Sequence, residues 1–391
     1  MNANSTVQSL VTSLGMHLID TFQKGYSTDT NLMFSPLSIF SALFMFMYAS
    51  LDTSPAAQEL VQSFGLEKPR DKKNIHVYTL FFKNFFYDLI DKYDEVPTSS
   101  NQIKANLILA NSLWGTNMKK GFRNLARREL LCDTFDEVPT PTGIETWLRN
   151  ATKGNIDDIV SRDMVFKEND LFLTSTLYFT GAWETPFDPA KNTVQTFNIP
   201  GNQFISATMM NQVKQSHPYY ENSKYQLLDL TYTDDRFTAS LVLPREILTF
   251  QEFYRLMTPS DWTNILKENR RNYLVNVTIP KFDIESHINL GPYLEKINVT
   301  SIFKPNTVFP YLSAKPKNLV QYIHKTHVEV AEFGSKTVVP PRFSFLSYFT
   351  NPFLRYRVRS FHCDRPFLFV LKTKISGVPL FVTYITNPAT I

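Results

Sequence analysis

Cysteine is almost absent from this chain: Cys132 and Cys363 are its only two in 391 residues. Two thiols cannot make a disulfide framework, and a chain of this length buries enough apolar surface to need none. Glycine is scarce too, at 12 residues, and there is no Gly-rich phosphate loop, G-x-S-x-G elbow or HExxH pair. These absences exclude the common nucleotide-binding and hydrolytic constellations. Of seven histidines, the nearest to a metal pair is His324 with His327, whose spacing on a strand turns them to opposite faces. No metal and no cofactor is expected, and the chain is not expected to be an enzyme. Charge of one sign is also lacking, since a net charge of +4 is too small to imply a nucleic-acid partner. The most apolar run, residues 39–51, is too short to cross a bilayer, so no membrane partner is expected. The opening "MNANSTVQSLVTSLGMHLIDTF" has no basic region followed by an apolar core of the kind that directs export. No Gly/Ser linker, Pro-rich hinge or like-charge block marks a seam, so residues 1–391 are read as one domain.

What is present is apolar and aromatic. The chain is 43% hydrophobic, with 33 Phe and 18 Tyr, enough for a large core. The early sequence has a helical period. The opening predicts an amphipathic helix with Ser5 as N-cap. "SPLSIFSALFMFMYASL" predicts a helix started by Ser-Pro and, being apolar all round, buried on every side. "SPAAQELVQSFG" predicts another, closed by Gly65; "VYTLFFKNFFYDLIDKYDE", "GFRNLARRELL" and "GIETWLRNATKGNIDDIV" follow. "QIKANLILANSLW" and "DLFLTSTLYFTGAW" read as strands buried on both faces. "RFTASLVLP", "YLVNVTIPKFDI", "THVEVAEF", "RPFLFVLKT" and "VPLFVTYIT" are further strands, the last two forming a hairpin through Ser376 and Gly377. Helices early and strands late point to an α+β class with large, mostly antiparallel sheets. Two basic clusters, Lys68, Arg70, Lys72 and Lys73, then Lys119, Lys120, Arg123, Arg127 and Arg128, are by default solvated faces; they leave a sulfated glycan open as a partner. Sequons at Asn4, Asn150, Asn276 and Asn298 matter only if the chain is secreted.

The segment from His327 to Phe369 is the anomaly. It begins as an alternating strand and ends in an apolar run. Between Gly334 and that run lie some thirty residues without a helical or strand period, including the adjacent Pro340 and Pro341. Blocks around it occur in an order that resembles the serpin family almost end to end. "NLMFSPLSIFSALFMFMYAS" with "AAQELVQSFG", "ANSLW", "LFLTSTLYFTGAWETPFDP", "LVLP", "IPKFDIES", "IHKTHVEVAEFG", and finally "RPFLFVL" with "GVPLFVTYITNP" carry the resemblance.

The resemblance implies a serpin fold: about eight or nine helices packed on three β-sheets, with an exposed reactive-centre loop at about residues 333–361. It implies a monomer that is extracellular by family default, with a cytoplasmic location left open by the missing signal. It also implies a mechanism. A serine protease cleaves the loop and forms an acyl-enzyme; the cut loop then inserts as a new strand into the largest sheet, dragging the protease with it before deacylation.

On this resemblance Glu332, Gly334 and Ser335 form the hinge, Lys281 pairs with Glu332, and Trp183 lies beneath the opening. Ser35, Ser38 and His324 match the polar cluster over which the sheet parts. The sequence departs from the family at Ser175, where asparagine is common. It departs further in the hinge, where the family favours small residues and this chain has Lys336, Thr337, Val338, Val339, Pro340 and Pro341. Proline cannot donate to a ladder, and each unpaired carbonyl in a buried sheet costs about 1–3 kcal/mol. The family's spacing counted forward from Glu332 puts the scissile bond at Tyr348-Phe349, suiting a chymotrypsin-like enzyme. Counted back from Pro366 it falls near Arg355 or Arg357, suiting a trypsin-like one. Two readings follow: a suicide inhibitor, or a non-inhibitory serpin acting as carrier, chaperone or ligand because of Val338, Val339, Pro340 and Pro341.

Overall fold

The computed structural model describes residues 3–25, 30–50, 53–66, 79–80, 82–86, 89, 105–267, 270–335 and 358–389. Its first sheet has the order β10 (Phe282–Asn289), β11 (Asn318–Val330), β4 (Asp170–Ala182), β2 (Asn106–Gly115), β3 (Cys132–Asp136), with the short β12 (Gly334–Ser335) also on β4. A second network runs β1 (Leu32–Phe34), β15 (Pro379–Ile385), β14 (Phe367–Thr373), β8 (Phe237–Pro244), β7 (Tyr225–Thr231), β6 (Gln203–Glu221), β9 (Asn272–Pro280), β13 (Arg359–His362), with β5 (Thr193–Ile199) on β6. This network is two sheets sharing one strand. The 19 residues of β6 pair with β5 and β9 up to Pro218, then with β7 from Tyr219 to Glu221. The expected α+β architecture on three sheets is therefore the one observed.

The helices are α1 (Ala3–Gly25), α2 (Pro36–Ala49), α3 (Pro55–Ser63), α4 (Lys120–Glu129), α5 (Pro141–Ala151), α6 (Phe250–Leu256), α7 (Pro259–Leu266) and α8 (Gly291–Lys296), and residues 79–80 and 82–86 are helical as well. Ser35 caps α2, its hydroxyl accepting from the Ser38 N–H, with Pro36 in the first turn. Ser54 and Pro55 start α3 in the same way. The first helix begins at Ala3, so Ser5 lies inside it and is not its cap. Cys132 and Cys363 are buried free thiols.

Why β4 is buried along almost its whole length becomes clear from what covers it. Leu171, Leu173, Leu177 and Phe179 face the main core with α2, while Phe172 and Tyr178 face a smaller cluster with Trp114, Ile144, Leu148 and Ile323. Both faces are dry, so alternation disappears. Ile144 and Leu148 belong to α5, which sits across the outer face of the sheet. The chain after α5 is strapped down from two sides. Glu145 accepts from the backbone N–H groups of Asp158, Ile159 and Val160. Lys325 of β11, only 5% exposed, donates to the carbonyls of Asp157 and Asp158.

Candidate functional site

The candidate site lies along the seam between β4 and β11. These two strands pair directly and in parallel, from Asn318 opposite Asp170 to His327 opposite Tyr178. Their other neighbours, β2 on β4 and β10 on β11, are antiparallel. Parallel pairing is slightly the weaker kind per residue, and in this sheet only the seam and the edge pair β2–β3 have it among the described residues.

At the upper end of the seam the chain turns after β11 and comes back. Gly334 pairs antiparallel with Ala182 and Ser335 with Gly181, while Gly334 also bridges Ala331. Gly334 and Ser335 are thus already strand. Gly334 has φ +144°, and a Cβ there would lie 1.9 Å from the Gly181 carbonyl oxygen. Only glycine fits. Ser335 is fully buried, and its hydroxyl is 2.8 Å from the Tyr232 hydroxyl. Tyr232 is itself buried and stacks on Trp183, the centroids 4.3 Å apart; burial pushes its phenol pKa up, keeping it neutral.

Trp183 holds the turn. Its ring N–H donates to the Ala331 carbonyl at 3.0 Å and its backbone N–H to Phe333 at 2.9 Å. The Phe187 N–H donates to the Glu332 carbonyl at 2.8 Å. The Glu332 carboxylate meets Lys281 at 3.1 Å and accepts from the Asn192 amide at 2.5 Å. Burial alone would raise the Glu332 pKa, but hydrogen bonds from its own backbone, Asn192 and Lys281 outweigh it, and the net direction is down. Glu332, Gly334, Ser335, Lys281 and Trp183 are therefore brought together.

Midway down the seam His324 is fully buried. The Ser35 N–H donates to its Nε2 at 2.9 Å. That leaves Nδ1 as the protonated nitrogen, 2.8 Å from the Ser175 hydroxyl and 3.0 Å from its carbonyl oxygen. With Nε2 committed as an acceptor, a second proton has nowhere to go. Burial lowers the His324 pKa to about 3. Ser38 donates to Asn111 at 3.1 Å, and Asn111 stands opposite Ser175 in the β2–β4 register. The departure at Ser175 is thus accommodated: an asparagine is present in the cluster, but from the neighbouring strand.

Three residues of the site escaped sequence reasoning: Tyr232, Asn192 and Asn111. Asn111 left one signal, a lone amide inside an apolar run. Tyr348, Phe349, Arg355, Arg357 and the hinge positions 336–341, Pro340 and Pro341 among them, lie outside the described residues, as do Lys68, Arg70, Lys72 and Lys73. The other basic cluster is partly spent on local pairs, Arg123 with Asp136 at 3.6 Å and Arg127 with Asp133 at 3.4 Å. No helix of the described residues is long and apolar enough to cross a membrane.

A family model described as serpin (serine protease inhibitor) matches residues 9–388. Mouse neuroserpin is 26% identical over 388 residues, spanning 94% of this chain and 88% of that protein. Human thyroxine-binding globulin, solved in complex with thyroxine, superposes with a TM-score of 0.82 at 20% identity, covering 99% of this chain and 100% of the other. Arabidopsis AtSerpin1 in its native stressed conformation gives a TM-score of 0.81 at 19% identity, with 100% of both chains covered. At such identities the two structures speak for the fold alone.

Proposed function

Because the chain belongs to the serpin family, we propose that it acts as a suicide-substrate inhibitor of a serine endopeptidase, trapping the enzyme covalently while its cut loop enters the seam between β4 and β11. The observation that carries this reading is the start of β12. A strand continued from Gly334 and Ser335 would run antiparallel to both β4 and β11, replacing one parallel ladder by two antiparallel ones. The gain becomes available once cleavage frees the strand to move.

The same register supports one of the two scissile bonds. Carried downward, it would set Leu346 opposite Asp170, the first residue of β4. An enzyme attached at Tyr348 would then arrive just past the far end of the sheet. One attached at Arg355 would leave residues 347–355 as slack. We therefore assign Tyr348-Phe349 as the reactive bond and a chymotrypsin-like protease as the partner.

A non-inhibitory reading has one observation in its favour. Continued along β4, the register would place Pro340 opposite Thr176 and Pro341 opposite Ser175, beside His324 in the buried middle of the seam. Two missing donors there slow insertion, and slow insertion lets the enzyme deacylate.

The deciding experiment incubates the full-length protein with chymotrypsin, looks for a denaturant-stable adduct, and identifies the released fragment by mass. The reading expects an adduct and a fragment beginning at Phe349. It also expects a large rise in melting temperature after the loop is nicked by a catalytic amount of protease. No adduct with chymotrypsin-like or trypsin-like enzymes, together with no rise, sinks it in favour of the non-inhibitory one.

A further inference from the structure

A second feature lies in the other strand network, across β7, β8 and β14. Register places Thr231, Thr238 and Lys372 side by side across β7, β8 and β14. Asp229 and Ser240 are paired two residues further along the same face. A polar row on otherwise apolar, buried strands requires polar company. Part of that company comes from the chain around the end of α7. Arg270 pairs with Asp229 and donates to the Ile265 carbonyl at 2.9 Å. Lys372 donates to the carbonyls of Ile265 and Lys267 at 2.6 and 3.1 Å.

Between the row and this chain lies a cavity of about 650 Å³. Its lining includes four cations, Lys267, Arg270, Lys372 and Lys374, against two carboxylates, Asp229 and Glu184. Both carboxylates are already engaged, Asp229 by Arg270 and Ser240, Glu184 by the Thr231 hydroxyl. Two polar groups are left over. Arg270 Nε and the Thr238 hydroxyl are buried without a hydrogen-bond partner, though the Arg270 side chain and Thr238 are each only 5% exposed. A buried guanidinium N–H left unmet is costly, and Arg270 and Thr238 are both residues of this cavity's lining.

We propose that this cavity binds a tetrahedral oxyanion, phosphate or sulfate, either free or as the monoester of a small polar molecule. An arginine N–H, a hydroxyl and lysines at the rim are the donor set such an anion takes. The volume exceeds a bare anion and falls in the range of about 300–1,000 Å³ typical of small-molecule sites. The unpaired donors supply the specificity and the surplus positive charge the attraction.

The test is isothermal titration of the full-length protein with inorganic phosphate and, separately, with glucose 6-phosphate. Saturable one-to-one binding of at least one of them is expected. Thr238→Val should weaken it about tenfold, while its melting temperature without anion stays at the wild-type value, because the hydroxyl it removes bonds to nothing. Lys374→Met at the rim should weaken binding as well, and glucose should not compete. Equal affinities for the two probes identify the free anion as ligand; a sugar phosphate held at least tenfold more tightly identifies the ester. Binding that does not saturate, or that both variants leave unchanged, overturns the assignment.

Discussion

The contact between Tyr232 and Ser335 is the clearest place to test whether the hinge rests inside the sheet. Both hydroxyls are buried and 2.8 Å apart, and the Tyr232 ring packs against Trp183 independently of its hydroxyl. Tyr232→Phe keeps that stacking and leaves the Ser335 hydroxyl buried alone, at a cost of about 1–3 kcal/mol. The chain can avoid this penalty by withdrawing residues 334–335 into water. The hinge-in population should therefore fall, relative to hinge-out, by roughly 5- to 150-fold. Amide exchange at Gly334 and Ser335, read by mass spectrometry, should accelerate by the same factor. Ser335→Ala should do likewise, since it strands the phenol. The double variant removes both polar groups and should recover much of the protection, because an apolar pair needs no partner. That non-additivity, about 1 kcal/mol or more, is the signature of a direct bond. Strictly additive effects, or unchanged exchange in Tyr232→Phe, would refute the reasoning.

Three further predictions follow from neighbouring geometry. Gly334→Ala should drive the hinge out of the sheet, since its Cβ would meet backbone at 1.9 Å and positive φ adds about 1–3 kcal/mol of strain; loss of exchange protection at Ser335 checks it. Burial of His324 lowers its pKa to about 3 from 6.5, so between those values the unfolded chain binds a proton that the folded chain refuses. Stability is complete above pH 6.5 and falls on acidification by about 1.4 kcal/mol per pH unit from this group. His324→Gln should flatten the pH dependence of denaturant unfolding by about one proton, and an unchanged slope would contradict it. On the proposed insertion, replacing Pro340 and Pro341 by alanine should supply two ladder donors and raise the fraction of encounters with chymotrypsin that end in adduct; an unchanged or lower fraction would count against insertion in the register continued from Gly334 and Ser335.

Much of the site was legible because motifs of adjacent residues carried it. Glu332, Gly334 and Ser335 sit together in the chain, Lys281 follows Pro280 at the end of β9, and Ser35 with Pro36 announces a helix start by local rules. Tyr232, Asn192 and Asn111 were illegible for the opposite reason. Each reaches its partner through sheet register and loop packing, over 103, 140 and 73 residues of sequence respectively, and no periodicity encodes a pairing at that range. The Ser5 cap failed because α1 starts at Ala3; boundaries of a fraying terminus are set by a residue or two of local balance.

The strap behind α5 gives the seam a mechanical load path. Glu145 ties it to the helix, and Lys325 ties it to β11. The helix itself packs against the opposite half of the sheet through Ile144, Leu148 and Trp114. Separating β11 from β4 therefore pulls on a buckle that spans the gap. Either the Lys325 clip gives way or the helix slides over Trp114. Each event takes time, and on the inhibitory reading proposed above that delay would set how long an attached enzyme has to let go.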